Sequence, residues 1–253
     1  MEIILHIPHI ISLDFELIKP YFENKSITDL NLMKINEEGF SHYALGKYNN
    51  KVVGVRFGRP AMNYKREASG LSRLSHKSIP VCIDTGELVM PNCKLGYMVI
   101  QHFLGTPISE NLDFESKNGR KNIISVLSEI VNILDYIHSK DVVHNDIHKD
   151  HILINNNGVY LIDFSRWFDP KKDRIPTTYD FCDEHEYANT CYGRLLKTIL
   201  KSQPSYLFVD GLKNLANSLI AKPRDFFYGP NSKSRNELSQ DIKSALEEIA
   251  LSI

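Results

Sequence analysis

Apolar positions alternate in short runs through the first third of the chain and then recur with helical spacing. Four runs predict β-strands: residues 40–48, 51–57, 78–90 and 95–103. Asn49 and Asn50 separate the first two runs, which therefore predict a hairpin with a tight turn. Residues 63–76 predict a helix, because apolar residues recur there at every third position.

Helical periodicity dominates after a break at Gly105 to Pro107. The strongest amphipathic pattern covers residues 122–140, and its apolar face consists of Ile123, Val126, Leu127, Ile130, Leu134 and Ile137. Residues 151–155 and 159–163 predict a second hairpin across the Asn-Asn-Gly sequence between them. Three more helices are predicted near residues 192–200, 211–221 and 236–253, the last of them capped by Asn236. Strands followed by helices indicate an α+β chain in two lobes, with a cleft where the lobes meet.

Composition argues against some classes of function but does not identify a single one. The chain has 253 residues and a formal net charge of -1, so no basic surface points to nucleic acid as a partner. No apolar run is long enough to cross a membrane. The four cysteines are far apart, and the apolar N-terminus lacks a basic segment before it. These features predict a cytoplasmic protein, with secretion as an effector as the open alternative.

Ionisable residues cluster at the mouth of the second predicted hairpin. Asp146 precedes the hairpin and Asp163 ends it, so its strands bring the two carboxylates toward each other. One carboxylate there can accept a proton from a hydroxyl group, and the other can hold Mg²⁺ that carries phosphate. In the purely structural alternative, His144 and Asp146 form a buried loop network with backbone amides.

The order of these motifs resembles the protein-kinase-like superfamily. His144 and Asp146 match the family's H-R-D-L-x-x-x-x-N catalytic loop, and Asp163-Phe164-Ser165 matches its D-F-G motif. The helix that ends in LDYIHSKDVVH matches the one before that loop. The resemblance covers roughly residues 35–200. It implies a two-lobed α+β fold: residues 1–104 form a nucleotide-binding lobe with an antiparallel sheet, and residues 105–253 form a helical catalytic lobe.

The same resemblance implies specific roles for residues. Asp146 would be the catalytic base, and Asp163 and His151 would be ligands of Mg²⁺ or Mn²⁺. The implied nucleotide is ATP. Its binding residues would be Gly39, Ser41, Arg56, Glu67, Gln101 and Phe103.

Several positions depart from the family pattern. Arg56 stands where the family has lysine; it is preferred by register over Lys47, Lys51 and Lys65. His151 stands where the family has a metal-binding asparagine, and an imidazole suits Mn²⁺ better than Mg²⁺. The sequence matches the glycine-rich loop of the family only poorly. Asn145 stands where the family usually has an arginine. No A-P-E motif follows, so ordinary loop residues are predicted at Thr177, Thr178 and Tyr179.

Three functions are compatible with this pattern. The first is an active kinase that transfers phosphate to a hydroxyl of a protein Ser/Thr, a small molecule or a glycolipid. The second is a pseudokinase that binds partners without phosphoryl transfer, and the third is a scaffold without a nucleotide site. A histidine at the asparagine position, here His151, resembles the pattern of bacterial lipopolysaccharide core kinases. The Asp146-x-His148 pattern resembles that of aminoglycoside and choline phosphotransferases. The reduced number of family motifs resembles small bacterial effector kinases.

Overall fold

The computed structural model describes residues 15–34, 42–58, 61–90, 93–110, 112–169, 188–201, 207–220 and 235–251. The chain forms two compact units, built from residues 1–75 with 80–103 and from residues 76–79 with 104–253. The predicted lobe limits of 1–104 and 105–253, and the role assigned to each lobe, stay predictions.

A five-stranded antiparallel sheet forms the centre of the first unit, in the order β1-β2-β3-β5-β4. The strands are β1 (Ile27–Lys34), β2 (His42–Tyr48), β3 (Lys51–Phe57), β4 (Cys82–Met90) and β5 (Cys93–Gln101). Strand β1 was not predicted from the sequence. Two helices accompany the sheet, α1 (Phe15–Glu23) and α2 (Ala61–Leu71). Helix α2 is shorter than the predicted span of 63–76 and begins two residues earlier.

The predicted hairpin between β2 and β3 is present. Asn49 and Asn50 have φ angles of 49° and 61°. This left-handed conformation at both turn residues matches the right-handed twist of the two strands. The resulting register pairs Tyr48 with Lys51 and Tyr43 with Arg56. Tyr43 and Arg56 therefore lie on the same face of the sheet, since directly paired residues share a face.

The two faces of the sheet have different partners. On one face, Val53, Val55 and Phe57 of β3 pack in a buried apolar cluster with Ile18 and Phe22 of α1. Side chains alternate along a strand, so Gly54 and Arg56 lie on the opposite face. Helix α2 packs on that second face, and its buried residues include Tyr64, Glu67 and Leu71.

Helix α3 (Lys117–Ser139) is the longest element of the second unit. Ser116 caps its start, because the serine hydroxyl oxygen accepts a hydrogen bond from the Gly119 N–H at 2.9 Å. All six residues of the predicted apolar face are buried. The helix begins five residues before the predicted span of 122–140. The prediction missed these residues because the first turn is polar and adds nothing to the apolar pattern.

The second unit contains a three-stranded antiparallel sheet, and His151 and Asp163 flank two of its strands. Its strands are β6 (Thr106–Pro107), β7 (Ile152–Asn155) and β8 (Gly158–Leu161). The hairpin of β7 and β8 agrees with the prediction, whereas the sequence pattern at Thr106 and Pro107 predicts only a break. They form a short edge strand that pairs with Ile154 and Leu153.

Three more helices of the second unit are described, α4 (Ala188–Leu200), α5 (Leu207–Ile220) and α6 (Arg235–Leu251). All three were predicted, but Asn236 lies inside α6 and is not its cap. None of the helices in the described ranges combines the length and the apolar character that a membrane crossing needs.

Candidate active site

A backbone bridge holds the segment of the second unit that leads to Asp146. The N–H of Val143 donates to the carbonyl of Phe168, and the N–H of Phe168 donates to the carbonyl of Val143, each at 3.0 Å. The segment that leads to Asp146 is thereby fixed beside the segment that follows Asp163.

His144 is the buried anchor of this loop. Its Nδ1 accepts a hydrogen bond from the backbone N–H of Asp146 at 3.3 Å, so its Nε2 carries the proton and donates to the carbonyl of Ile162 at 2.9 Å. Burial lowers the pKa of His144 to about 4, although the bond to Ile162 acts in the opposite direction. A neutral imidazole therefore joins the loop of Asp146 to the residue before Asp163.

The carboxylate of Asp146 is partly exposed, in contrast to the buried ring of His144. Its Oδ2 lies 3.7 Å from Nε of Arg166 and 3.8 Å from Nδ1 of His151. Its backbone is held at both ends, because its carbonyl also accepts a hydrogen bond from Nδ1–H of His151 at 2.8 Å. An oriented carboxylate with access to solvent can accept a proton from an incoming hydroxyl group.

Asp163 follows β8 and has a left-handed backbone conformation, with φ of 62°. Aspartate tolerates this conformation better than most residues because its short side chain bonds locally. Its Oδ1 accepts a hydrogen bond from the N–H of Ser165 at 3.2 Å. Its Oδ2 lies 3.8 Å from Nε2 of His151.

His151 lies between the two carboxylates and has a defined tautomer. Since its Nδ1–H donates to the carbonyl of Asp146, the neutral ring carries its lone pair on Nε2, the nitrogen that faces Asp163. Two donors that each bind a cation at about 2.1 Å can share it when they are up to about 4.2 Å apart. The separation of 3.8 Å between Nε2 and the Asp163 carboxylate therefore fits a shared divalent cation.

No group of three or more His, Cys, Asp or Glu side chains surrounds a common metal position within the described ranges. The pair of Asp163 and His151 could supply two ligands to a divalent cation. Such a pair suits Mg²⁺ or Mn²⁺, which keep water and take oxygen ligands from substrate phosphates.

In the first unit, Arg56 and Glu67 form a buried ion pair. Nη1 of Arg56 donates to both carboxylate oxygens of Glu67, at 2.8 and 2.9 Å. The side chains are only 12% and 3% exposed, so the charges depend on each other for compensation. Lys47, one of the alternatives considered for the lysine position, instead pairs with Asp29 at 2.8 Å. The other two, Lys51 and Lys65, are exposed.

The remaining residues that were predicted to bind the nucleotide lie at the end of β5 and before β2. Gln101 is exposed and its backbone N–H donates to the carbonyl of Val81 at 2.9 Å, while Phe103 is partly buried. Gly39 and Ser41 lie outside the described residues, as do the predicted loop residues Thr177, Thr178 and Tyr179.

Two residues near these groups were not predicted from the sequence. Arg166 approaches the carboxylate of Asp146, and its carbonyl accepts a hydrogen bond from Nδ2 of Asn145 at 3.4 Å. Tyr43 shares the sheet face of Arg56, which the two-residue turn of the β2–β3 hairpin could have indicated through its register. The local sequence contains no comparable signal for Arg166.

The fold and these motifs define the class of protein. A family model described as protein kinase domain matches residues 35–188, more than half of the chain. The chain therefore belongs to the protein kinase domain family. This match confirms the predicted superfamily and its two-lobed α+β fold class.

Individual relatives agree with this family. The chain is 27% identical to the serine/threonine-protein kinase PknB of Mycolicibacterium smegmatis over 104 residues, which are 41% of this chain and 17% of that protein. It is 28% identical to PknB of Mycobacterium tuberculosis with the same coverage. Against a probable serine/threonine-protein kinase of Streptomyces coelicolor, SCO3848, identity is 29% over 40% of this chain and 15% of the relative. The chain thus spans about a sixth of the length of these curated relatives.

Proposed function

We propose that this chain is an ATP-dependent phosphotransferase that moves the γ-phosphate of ATP to a hydroxyl group. The observation that carries the proposal is the position of the His151 ring, 3.8 Å from a carboxylate oxygen of Asp146 and 3.8 Å from one of Asp163. This arrangement, in a chain of the protein kinase domain family, supports a proton acceptor at Asp146 beside a metal-binding pair of Asp163 and His151.

In the proposed reaction, Asp146 orients the acceptor hydroxyl and receives its proton. The acceptor oxygen forms a bond to the γ-phosphorus, the bond between that phosphorus and the bridging oxygen breaks, and ADP leaves. Arg166, 3.7 Å from Oδ2 of Asp146, orients that carboxylate. His144 keeps the loop in place as a neutral hydrogen-bonding group.

Asp163 and His151 would hold the divalent cation, which neutralises charge on the phosphates when it is bound. In the first unit, Arg56 would contact the α- and β-phosphates of ATP. Its pairing with Glu67 supports this role, because the carboxylate fixes the guanidinium on one face of the sheet. Gln101 and Phe103 would contact the adenine, and Gly39 and Ser41 the phosphates.

The relatives support one class of acceptor. The names of the matched proteins describe serine/threonine-protein kinases. We therefore propose a serine or threonine hydroxyl of a protein as the acceptor. Small molecules and glycolipids with a hydroxyl group are the alternatives that a substrate screen separates from it.

A pseudokinase is the second candidate, and two substitutions favour it. Arg56 occupies the position of the phosphate-binding lysine, and its planar guanidinium cannot act as a compact ammonium. His151 occupies the position of a metal-binding asparagine. A pseudokinase of this kind would bind ATP and gain thermal stability from it without transferring phosphate.

The proposal is tested by autophosphorylation and ATP hydrolysis, measured with Mg²⁺ and with Mn²⁺. We expect Asp146→Asn and Asp163→Asn each to lower turnover at least about 100-fold, because one removes the base and the other a metal ligand. Circular dichroism and urea unfolding should show an intact fold, since both carboxylates are partly exposed.

Asp150→Asn is the matched control. Asp150 lies in the same loop, but its carboxylate is 53% exposed and contacts His148 instead of the proposed site. Its activity should equal that of the wild type. Wild-type turnover by a folded Asp163→Asn variant would remove the metal role, and no turnover by any form in either metal would favour the pseudokinase.

A further inference from the structure

Tyr43 covers the sheet face that carries Arg56. From β2 its side chain reaches across β3 to the end of β5, where Oη of Tyr43 and Nδ1 of His102 are hydrogen-bonded at 2.7 Å. The two rings are 6.1 Å apart between centroids. All of these residues belong to the first unit.

The residue beneath the tyrosine ring is Gly54. A Cβ atom at position 54 would lie 2.8 Å from Cζ and 2.9 Å from Cε2 of Tyr43, and it would contact Oη as well. Carbon atoms do not approach each other this closely, so Tyr43 can adopt its position only because residue 54 has no side chain. The phenol thus occupies the layer directly above β3.

This layer is the surface between the two proposed nucleotide contacts. Arg56 lies two residues after Gly54 on the same face, and His102 lies between Gln101 and Phe103. A planar base that contacts both the end of β5 and the surface of β3 needs the space that the phenol fills. The base and the closed tyrosine therefore exclude each other.

We propose that the Tyr43–His102 pair closes over Gly54 and sets the nucleotide affinity of this chain, because the base binds only after the tyrosine ring has moved aside. This inference rests on the proposed nucleotide site. Two observations support a stable closed position. Burial raises the pKa of Tyr43 to about 12 and lowers that of His102, so both groups are neutral and hydrogen-bonded at neutral pH.

A closed position that competes with the ligand lowers apparent affinity by the fraction of molecules that are open. Loss of one hydrogen bond between neutral groups changes such an equilibrium by about three- to tenfold. We therefore expect Tyr43→Phe to bind ADP with Mg²⁺ about three- to tenfold more tightly than the wild type, measured by isothermal titration calorimetry. Tyr43→Ala, which removes the ring, should bind at least as tightly as Tyr43→Phe.

Gly54→Ala tests the same closure by a different route. The new methyl group is incompatible with the closed tyrosine, so this variant should also bind ADP more tightly. In Tyr43→Ala the methyl group has no ring to displace, so adding Gly54→Ala to it should cause no further gain. Tyr48→Phe is the matched control, because Tyr48 lies on β2 but packs against the apolar cluster on the opposite face. Its ADP affinity should not change.

Urea unfolding distinguishes a gate from a merely structural tyrosine. Tyr43→Phe should lower the unfolding midpoint while it tightens ADP binding, whereas a structural role predicts losses in both. If the wild type binds ADP and Tyr43→Phe and Gly54→Ala bind it equally or more weakly, the closure is overturned and the proposed function is not. If neither the wild type nor any variant binds ADP, the proposed function fails and this inference fails with it.

Discussion

At the scale of single residues, two histidines near the candidate base Asp146 have different surroundings. His144 is buried, donates to a backbone carbonyl and stays neutral. His151 is partly exposed; its Nδ1–H donates to the Asp146 carbonyl and its Nε2 lies toward Asp163. The same residue type thus serves as an internal brace at one position and as a candidate metal ligand seven residues later.

Replacement of His151 by the residue usual in the family tests its metal role. Asparagine offers an oxygen ligand, which Mg²⁺ prefers, whereas imidazole suits Mn²⁺ better. We expect His151→Asn to raise the ratio of Mg²⁺-supported to Mn²⁺-supported phosphoryl transfer several-fold. Initial rates in each metal, at equal fold stability, measure this ratio. An unchanged ratio would mean that His151 is only a brace for the Asp146 carbonyl.

The buried His144 makes stability depend on pH. Its folded-state pKa of about 4 lies below the unfolded value of about 6.5, so between these pH values the unfolded chain binds a proton that the folded chain does not. The contribution is complete above pH 6.5 and is lost as the pH falls toward 4. We expect His144 alone to lower the free energy of unfolding by about 2 kcal/mol between pH 7 and pH 5.

Urea unfolding at pH 7 and pH 5 measures this contribution. His144→Gln should be less stable than the wild type at pH 7 and should show a smaller loss between the two pH values. His148→Gln is the matched control, because the side chain of His148 is 48% exposed. It should keep the wild-type pH dependence. Equal pH dependence in His144→Gln and the wild type would contradict the burial effect.

At the scale of elements, the β7–β8 hairpin positions both ends of the candidate site. His151 immediately precedes β7, and Asp163 follows β8 by two residues. The turn depends on Gly158, which has a φ angle of 136°. Residues with a side chain rarely adopt this angle. The turn glycine therefore helps to determine where His151 and Asp163 lie.

Gly158→Ala is expected to destabilise this hairpin. The substitution forces alanine into a strained backbone conformation, and the new Cβ would lie 3.3 Å from Oε1 of Glu129. We expect the free energy of unfolding to fall by about 1–3 kcal/mol, measured by urea denaturation. Asn157→Ala changes the neighbouring turn residue, whose φ is not positive, and should cost less than about 0.5 kcal/mol. Equal effects of the two substitutions would show that Gly158 is not strained.

At the scale of the whole molecule, ligand-linked stability separates nucleotide binding from phosphate transfer. A ligand that binds only the folded chain stabilises it by about 2.7 kcal/mol at 100 times its dissociation constant. We expect ATP with Mg²⁺ at such a concentration to raise the thermal unfolding midpoint by roughly 5 °C or more. Sulfate at equal ionic strength is the control ligand. A shift without any transfer to protein substrates identifies the pseudokinase, and no shift supports the scaffold alternative.

Local signals account for most of the elements that were predicted. The asparagine turn, the alternation of β3 and the apolar stripe of α3 each involve residues close in sequence, and each was found as predicted. Strand β1 was missed because its residues mix polar and apolar positions without a clear period. The predicted position of helix α2 lies too far along the chain. The prediction used an apolar stripe that includes Ala68, whereas the buried face of the helix includes the charged residue Glu67.

The sequence by itself determined the family, the order of the elements and the candidates Asp146, Asp163 and His151, because these depend on residue types at set spacings. Only the tertiary structure decided their chemistry. The tautomer of His151 follows from its bond to a backbone carbonyl, and the low pKa of His144 follows from burial. The position of Tyr43 over Gly54 likewise depends on a partner at residue 102. Desolvation and hydrogen bonding depend on neighbours in space, and linear spacing does not specify those neighbours.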